Sequence, residues 1–308
     1  MTTTPRPLRR AARRRRLDTT ASLTAQINAA QRAAEALLPA HRRMHDDAAS
    51  AVFVTQPGLR LLLGHRWLAR GALAAVDRAW PGLHSHIILR ARYAEAARTA
   101  AIEQGIDQLV LLGAGFDSAA LRPAAVPLDV FEVDAPATQR VKRELLQRRG
   151  IGSTHRMHWV ACDFETDDFT ERLIAHGFRI DRPCLVVWLG VSFYLSAPAF
   201  AATVDRLNGL CAPGSRLILD YGDPGIVDGS SRWVGARRVA RLVARRGEPY
   251  RLGFTSEQVA AQLAGRGFEV VDQLGVPGLI ARFTTPNPAW SRDDDWLGIL
   301  TAERVPAE

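Results

Sequence analysis

The chain has 308 residues, 47% of them hydrophobic, and a formal net charge of +8, so it is long enough and apolar enough to bury one large core. Arg6, Arg9, Arg10, Arg13, Arg14, Arg15 and Arg16 supply +7 of that charge with no acid among them, which makes the basicity a property of a tail and not of a nucleic-acid-binding domain. No apolar run approaches the ~20 residues of a membrane span, no apolar leader follows the arginines, and Cys162, Cys184 and Cys211 are odd in number and lack metal-ligand spacing; a cytoplasmic protein with no metal or disulfide role for these thiols is expected.

In chain order, residues 1–18 are expected to form a disordered basic tail whose contacts with polyanions are weak and salt-dependent. A single domain is expected over 19–308. It begins with a helical cover over about 19–83, opening with a helix from about Thr20 to Leu38 that Pro39 ends. A long helix carrying Arg90, Arg92 and Glu95 follows.

The stretch Gln108-Leu-Val-Leu-Leu-Gly-Ala-Gly-Phe-Asp-Ser118 is the most informative. Leu109 to Leu112 is a continuous apolar run, as expected of a strand buried on both faces. Gly113, Ala114 and Gly115 then form a turn in which the glycines let a backbone approach a ligand, and Asp117 and Ser118 are placed to cap a following helix. A third glycine at the dinucleotide spacing is absent, and Asp117 puts negative charge where a pyrophosphate would sit. Both features point away from a nicotinamide or flavin dinucleotide and toward a smaller, cationic ligand. Glu132 and Asp134 end the next predicted strand, Leu128 to Val133, where a carboxylate can accept hydrogen bonds from ribose hydroxyls. A tight strand-to-helix turn with no ligand is the alternative.

Further on, helices are predicted near 136–149, 169–176 and 197–211, alternating with strands at 158–162, 184–189 and 216–221. Such alternation calls for a doubly wound α/β, Rossmann-like sheet with right-handed crossovers. An inserted segment at about 223–250 carries Arg237, Arg238, Arg241 and Arg245 at helical spacing, either a solvated basic face or a cationic wall for an acidic substrate. At the C-terminus, Phe268 to Leu274 and Leu279 to Thr284, joined by Gly275 to Gly278, are predicted to pair as a hairpin, making the last strand antiparallel.

The motifs His86-Ile-Ile-Leu-Arg-Ala-Arg-Tyr-Ala-Glu95, Leu111-Leu-Gly-Ala-Gly-Phe-Asp-Ser118, Phe131-Glu-Val-Asp-Ala-Pro136, Ala161-Cys-Asp-Phe164, Trp188-Leu-Gly-Val-Ser-Phe-Tyr-Leu195 and Pro213-Gly-Ser-Arg-Leu-Ile-Leu-Asp220 come in an order that resembles the leucine carboxyl methyltransferase-like family, over about residues 20 to 285. The resemblance implies S-adenosyl-L-methionine as cofactor. It also implies that Gly113 and Gly115 lie against the methionine part and that Asp134 holds the ribose; Asp117, from its place after the first strand, is expected to support the methionine end. Glu132 is then a second acidic neighbour or a structural residue. By the same comparison Asp163 and the backbone of Phe164 meet the adenine, and Arg90 meets the cofactor carboxylate. Leu189 stands where many relatives have a glutamate, so another acceptor must hold the cofactor's amino group or affinity is lower.

Methyl transfer from a sulfonium requires alignment of acceptor, methyl and sulfur in a dry pocket. A carboxylate acceptor, already ionised at neutral pH because its reference pKa is near ~4, needs no base; a hydroxyl does. His84 and His86 lie near the right segment, and Tyr194 and Tyr221 end strands where side chains can face an acceptor. The expected function is O-methyl transfer to a small molecule, a carboxylate slightly favoured. Neither a membrane partner nor, beyond weak contacts of the tail, a nucleic-acid partner is expected. A nicotinamide-dependent oxidoreductase and a non-catalytic binding protein are the alternatives.

Overall fold

The computed structural model describes residues 22–163, 167–245, 249–285 and 294–306; the predicted basic tail and Phe164 lie outside them. Seven strands form one sheet: β1 (Gln108–Leu112), β2 (Asp129–Asp134), β3 (Arg156–Ala161), β4 (Cys184–Trp188), β5 (Arg216–Gly222), β6 (Phe268–Gly275) and β7 (Leu297–Arg304), in the order β3-β2-β1-β4-β5-β7-β6. β7 alone runs antiparallel to its neighbours β5 and β6, and the other pairings are parallel. The strand order reverses between β1 and β4. Crevices that accept ligands form at such a point, beyond the strands' carboxyl ends.

Every residue of β1 and β4 is buried, because helices cover both faces of the sheet. Alternate residues Leu109, Leu111, Leu185, Val187, Ile218 and Ile299 pack under α4 (Leu83–Glu103) and α10 (Val276–Phe283). Their neighbours Val110, Leu112, Val186, Trp188, Leu217 and Leu219 meet α6 (Phe169–Ala175), α7 (Ala197–Leu210) and α9 (Ser256–Ala264). α5 (Pro136–Arg148) joins β2 to β3, and α8 (Val234–Arg245) lies in the predicted insertion. Ahead of α4 come α1 (Leu23–Ala36), α2 (Pro57–Leu63) and α3 (Arg66–Ala79). α1 packs through Ala29 and Ala30 against Phe53 and Phe116, the latter in the loop after β1.

Two expectations are corrected. No α-helix follows β1: one 3-10 turn, Ala119–Leu121, occupies the crossover, with Asp117 Oδ1 accepting from Ala119 N at 2.6 Å. Pro123 and Pro127 follow within the next six residues, each removing an amide donor and driving the residue before it toward extended backbone, so a helix cannot propagate there. The C-terminal hairpin is also displaced. Val276–Phe283 is a helix, with proline in its first turn and Asp295 Oδ1 accepting from Val276 N at 2.9 Å, and the reversed strand is Leu297–Arg304.

Candidate functional site

At the carboxyl end of β1 the chain folds across the end of β2. Gly113 N and Ala114 N both donate to Val133 O, at 2.7 and 3.2 Å, which forces the left-handed backbone seen at Gly113 (φ 69°) and Gly115 (φ 49°). The Asp134 carboxylate sits inside this turn. Its Oδ2 accepts from Gly115 N, and its Oδ1 accepts from Ala135 N at 2.6 Å. Burial pushes the carboxyl above its ordinary pKa while the two amides pull it back. Asp163, nine-tenths buried, lies just past β3, beside Cys162, whose N donates to Asp134 O at 2.9 Å. The turn after β1, Asp134 and Asp163 therefore share one rim.

The other half of the rim comes from β4 and β5. Arg90, on α4, donates from Nη1 to Asp220 Oδ2 at 2.5 Å, and Asp220 Oδ1 accepts from Gly190 N at 2.7 Å. His86 Nε2 lies 3.3 Å from the same Oδ2. Burial alone would raise the fully enclosed Asp220, but Arg90, His86 and the Gly190 amide outweigh it and hold the carboxyl below its ordinary range. A Cβ on Gly190 (φ 74°) would stand 2.9 Å from Arg90 Nη2, so the guanidinium lies directly against this turn. A Cβ on Gly113 would fall 2.2 Å from Cγ2 of Val191. Thus the β1 and β4 turns touch, and Arg90 reaches the strand-order reversal from below.

Not all predicted site residues join this rim. Glu132 is fully buried under α5, with both oxygens accepting from Lys142 Nζ at 2.8 Å; burial raises its pKa to about 7 against the opposing pull of Lys142. Leu189 is half-buried and packs into the core under α4. The Tyr221 ring lies against Gly298, and its hydroxyl meets Ser256 Oγ at 3.1 Å and Gln273 Nε2 at 2.8 Å. Tyr194 packs on Tyr250 of the insertion, ring centroids 5.4 Å apart. His84 is engaged by α1, with Gln31 and Glu35 each 3.2 Å from its ring nitrogens.

Sequence reasoning missed Asp220 as a partner and Arg32 as a brace. Arg32, on α1, donates from Nη2 to Phe116 O at 2.8 Å and from Nε to Asp47 Oδ2 at 2.9 Å, while Ser118 Oγ donates to Asp47 Oδ1 at 2.6 Å. The turn after β1 is thereby tied to the N-terminal cover. A charge inside the buried strand 216–221 was a legible sign that some cation must reach it; for Arg32 the sequence carried no signal.

Residues 25–208 match the family described as leucine carboxyl methyltransferase. The chain belongs to this family. Among relatives of this family member is a Bacillus subtilis (strain 168) protein with the provisional name S-adenosyl-L-methionine-dependent methyltransferase YktD, 29% identical over 61% of this chain and 62% of its own. A Mycobacteroides abscessus protein with the same provisional function name is 33% identical over 67% of both chains. The chain spans less than two thirds of the length of the Bacillus protein, 62%, and of a relative from Parafrankia, 56%. The fold is shared with a DUF574-family protein of Streptomyces avermitilis, at TM-score 0.59 and 20% identity over 94% of this chain and all of the other. A second shared fold, at TM-score 0.53 and 18% identity over 90% and 94%, comes from a Thermobifida fusca protein. Among the described residues, no helix is long and apolar enough to cross a membrane.

Proposed function

We propose that this leucine carboxyl methyltransferase family member is an S-adenosyl-L-methionine-dependent O-methyltransferase whose acceptor is a small-molecule carboxylate. The observation that carries the reading is the convergence of Gly113 to Gly115, Asp134, Asp163 and the Arg90–Gly190 contact on one rim where the strand order reverses. The residues fit the cofactor: a turn at Gly113 and Gly115 that has no side chains of its own and is closed by Val191 and Ala25, a fixed carboxylate for ribose hydroxyls at Asp134, and a guanidinium for the methionine carboxylate at Arg90. When bound, the cofactor supplies an electrophilic methyl group. The chain's part is to orient it, to exclude water and to aim an acceptor at it. Tyr194, Tyr250 and Phe193 offer an aromatic wall for that acceptor on the insertion side. Asp117 belongs to the proposed site only through the turn it caps.

The preference for a carboxylate rests on proton chemistry. His84 is held by α1, and His86 is 1% exposed and turned to Asp220. Burial lowers the pKa of His86 and raises that of Tyr221. A carboxylate needs none of them. The test is calorimetric titration with S-adenosyl-L-methionine, S-adenosylhomocysteine and NAD, followed by turnover of methyl-labelled cofactor with carboxylic acids and phenols. Label released as methanol by mild base marks a methyl ester; base-stable label, an ether, would overturn the carboxylate assignment. Binding of NAD in preference to the two sulfur cofactors would overturn the whole reading.

A further inference from the structure

α2 and α3 turn an apolar face to solvent. Leu59, Leu63, Ala69 and Leu73 point inward, and the opposite side of a surface helix is ordinarily polar. Here it carries Leu61 at 65% exposure, Trp67 at 68% and Leu68 at 43%, continued along α3 by exposed Gly71, Ala74 and Ala75. Exposed Arg60, Arg66 and Arg70 border this strip, and the Arg66 guanidinium lies 5.3 Å from the Trp67 ring centroid. Asp77 is the one acid in either helix. Among the described residues no carboxylate pairs with these three arginines.

We propose that the outward face of α2 and α3 docks the protein on an anionic lipid bilayer. Apolar side chains flanked by arginine, with an indole at their centre, are the chemistry that seats a helix at the headgroup boundary. A two-fold contact with a second copy is disfavoured because it would bring two sets of Arg60, Arg66 and Arg70 into one interface, with Asp77 the only acid either copy's helices add. Lipid phosphates supply the opposite charge and the acyl boundary takes up Leu61, Trp67 and Leu68. The arginine-rich residues 6–16 add a second electrostatic attachment to the same surface. The expectation of no membrane partner rested on the absence of a spanning segment, which peripheral docking does not require.

The test is co-sedimentation of the full chain with vesicles of mixed phosphatidylglycerol and phosphatidylcholine, and of phosphatidylcholine alone. Binding is expected to the first and not the second, and to persist when residues 1–21 are deleted. Leu61→Ser with Trp67→Ser should lower the partition coefficient at least about tenfold, and Arg66→Glu with Arg70→Glu about as much. All four side chains are exposed, so unchanged melting temperatures confirm that the variants fold. The proposal is overturned by no binding to the anionic vesicles, by binding that vanishes with the tail, or by binding that Leu61→Ser with Trp67→Ser leaves intact. Capture by an acidic polymer such as heparin without capture by vesicles would also overturn it, assigning the face to a polyanion.

Discussion

The Arg90 guanidinium and the Asp220 carboxylate meet at 2.5 Å beneath the turn that ends β4, and the second Asp220 oxygen is held by the Gly190 amide. An arginine on a helix and an aspartate in a core strand thus fix the height of the turn against which the cofactor is proposed to lie. Deleting either partner strands the other in a buried site, at a cost of about 3–5 kcal/mol. Arg90→Met and Asp220→Leu should each lose that much in urea unfolding, and the double variant should recover most of it. A double variant no more stable than the worse single would show the two residues to be uncoupled. Arg90→Lys keeps the charge but not the fork, and should weaken S-adenosyl-L-methionine and S-adenosylhomocysteine by the same factor, roughly tenfold.

Asp134→Ala should raise the dissociation constant for S-adenosylhomocysteine roughly ten- to hundredfold, the loss of one charge-assisted hydrogen bond worth ~1.5–3 kcal/mol. Glu132→Gln should leave that constant unchanged, because both Glu132 oxygens face Lys142. Isothermal calorimetry on folded variants separates the two carboxylates.

At Gly113 the conflict introduced by a methyl group has a named partner. Gly113→Ala puts Cβ 2.2 Å from Val191 Cγ2 and strains a backbone at φ 69°. It should lower both melting temperature and cofactor affinity. Adding Val191→Ala removes the collision but not the backbone strain of ~1–2 kcal/mol, so thermal denaturation should show partial rescue. No rescue would mean that the two turns do not press on each other.

The parallel sheet was legible because β1 and β4 are continuous apolar runs, a pattern that only burial on both faces produces. Asp134 was legible for a local reason, its place at the end of the strand after a Gly-x-Gly turn. The missing helix after β1 was written in Pro123 and Pro127 but was overridden by the expectation that a crossover is helical. The C-terminal strand was misplaced because the link Gly275 to Gly278 reads equally as a turn and as a helix start. Arg32 and Asp47 were beyond reach, since their pairing depends on how the N-terminal cover folds back over the sheet.

Asp47 gives the protein an acid-sensitive brace. Arg32, Ser118, Ser50 and Arg122 overcome the effect of burial and lower its pKa to about 2, from an ordinary value of 3.8. A depressed carboxyl stabilises the fold above the unfolded pKa and loses that contribution as pH falls through the folded one, hence from about pH 4 to about pH 2. The full contribution is about 2 kcal/mol. Asp47→Asn should be destabilising at neutral pH and progressively less so, relative to the native chain, across that window. A difference in urea stability independent of pH would refute the assignment.

Arg32 and Ser22 have a further consequence, one of timing. Their hydrogen-bond partners Phe116 and Thr138 lie 84 and 116 positions later in the chain. At a synthesis rate of ~5–20 residues per second, α1 leaves the ribosome roughly 5–20 s before the surface it docks on is complete. Among the described elements, α1 is thus the earliest made and among the last to be seated. Until then its apolar side is open to any chaperone that meets the nascent chain.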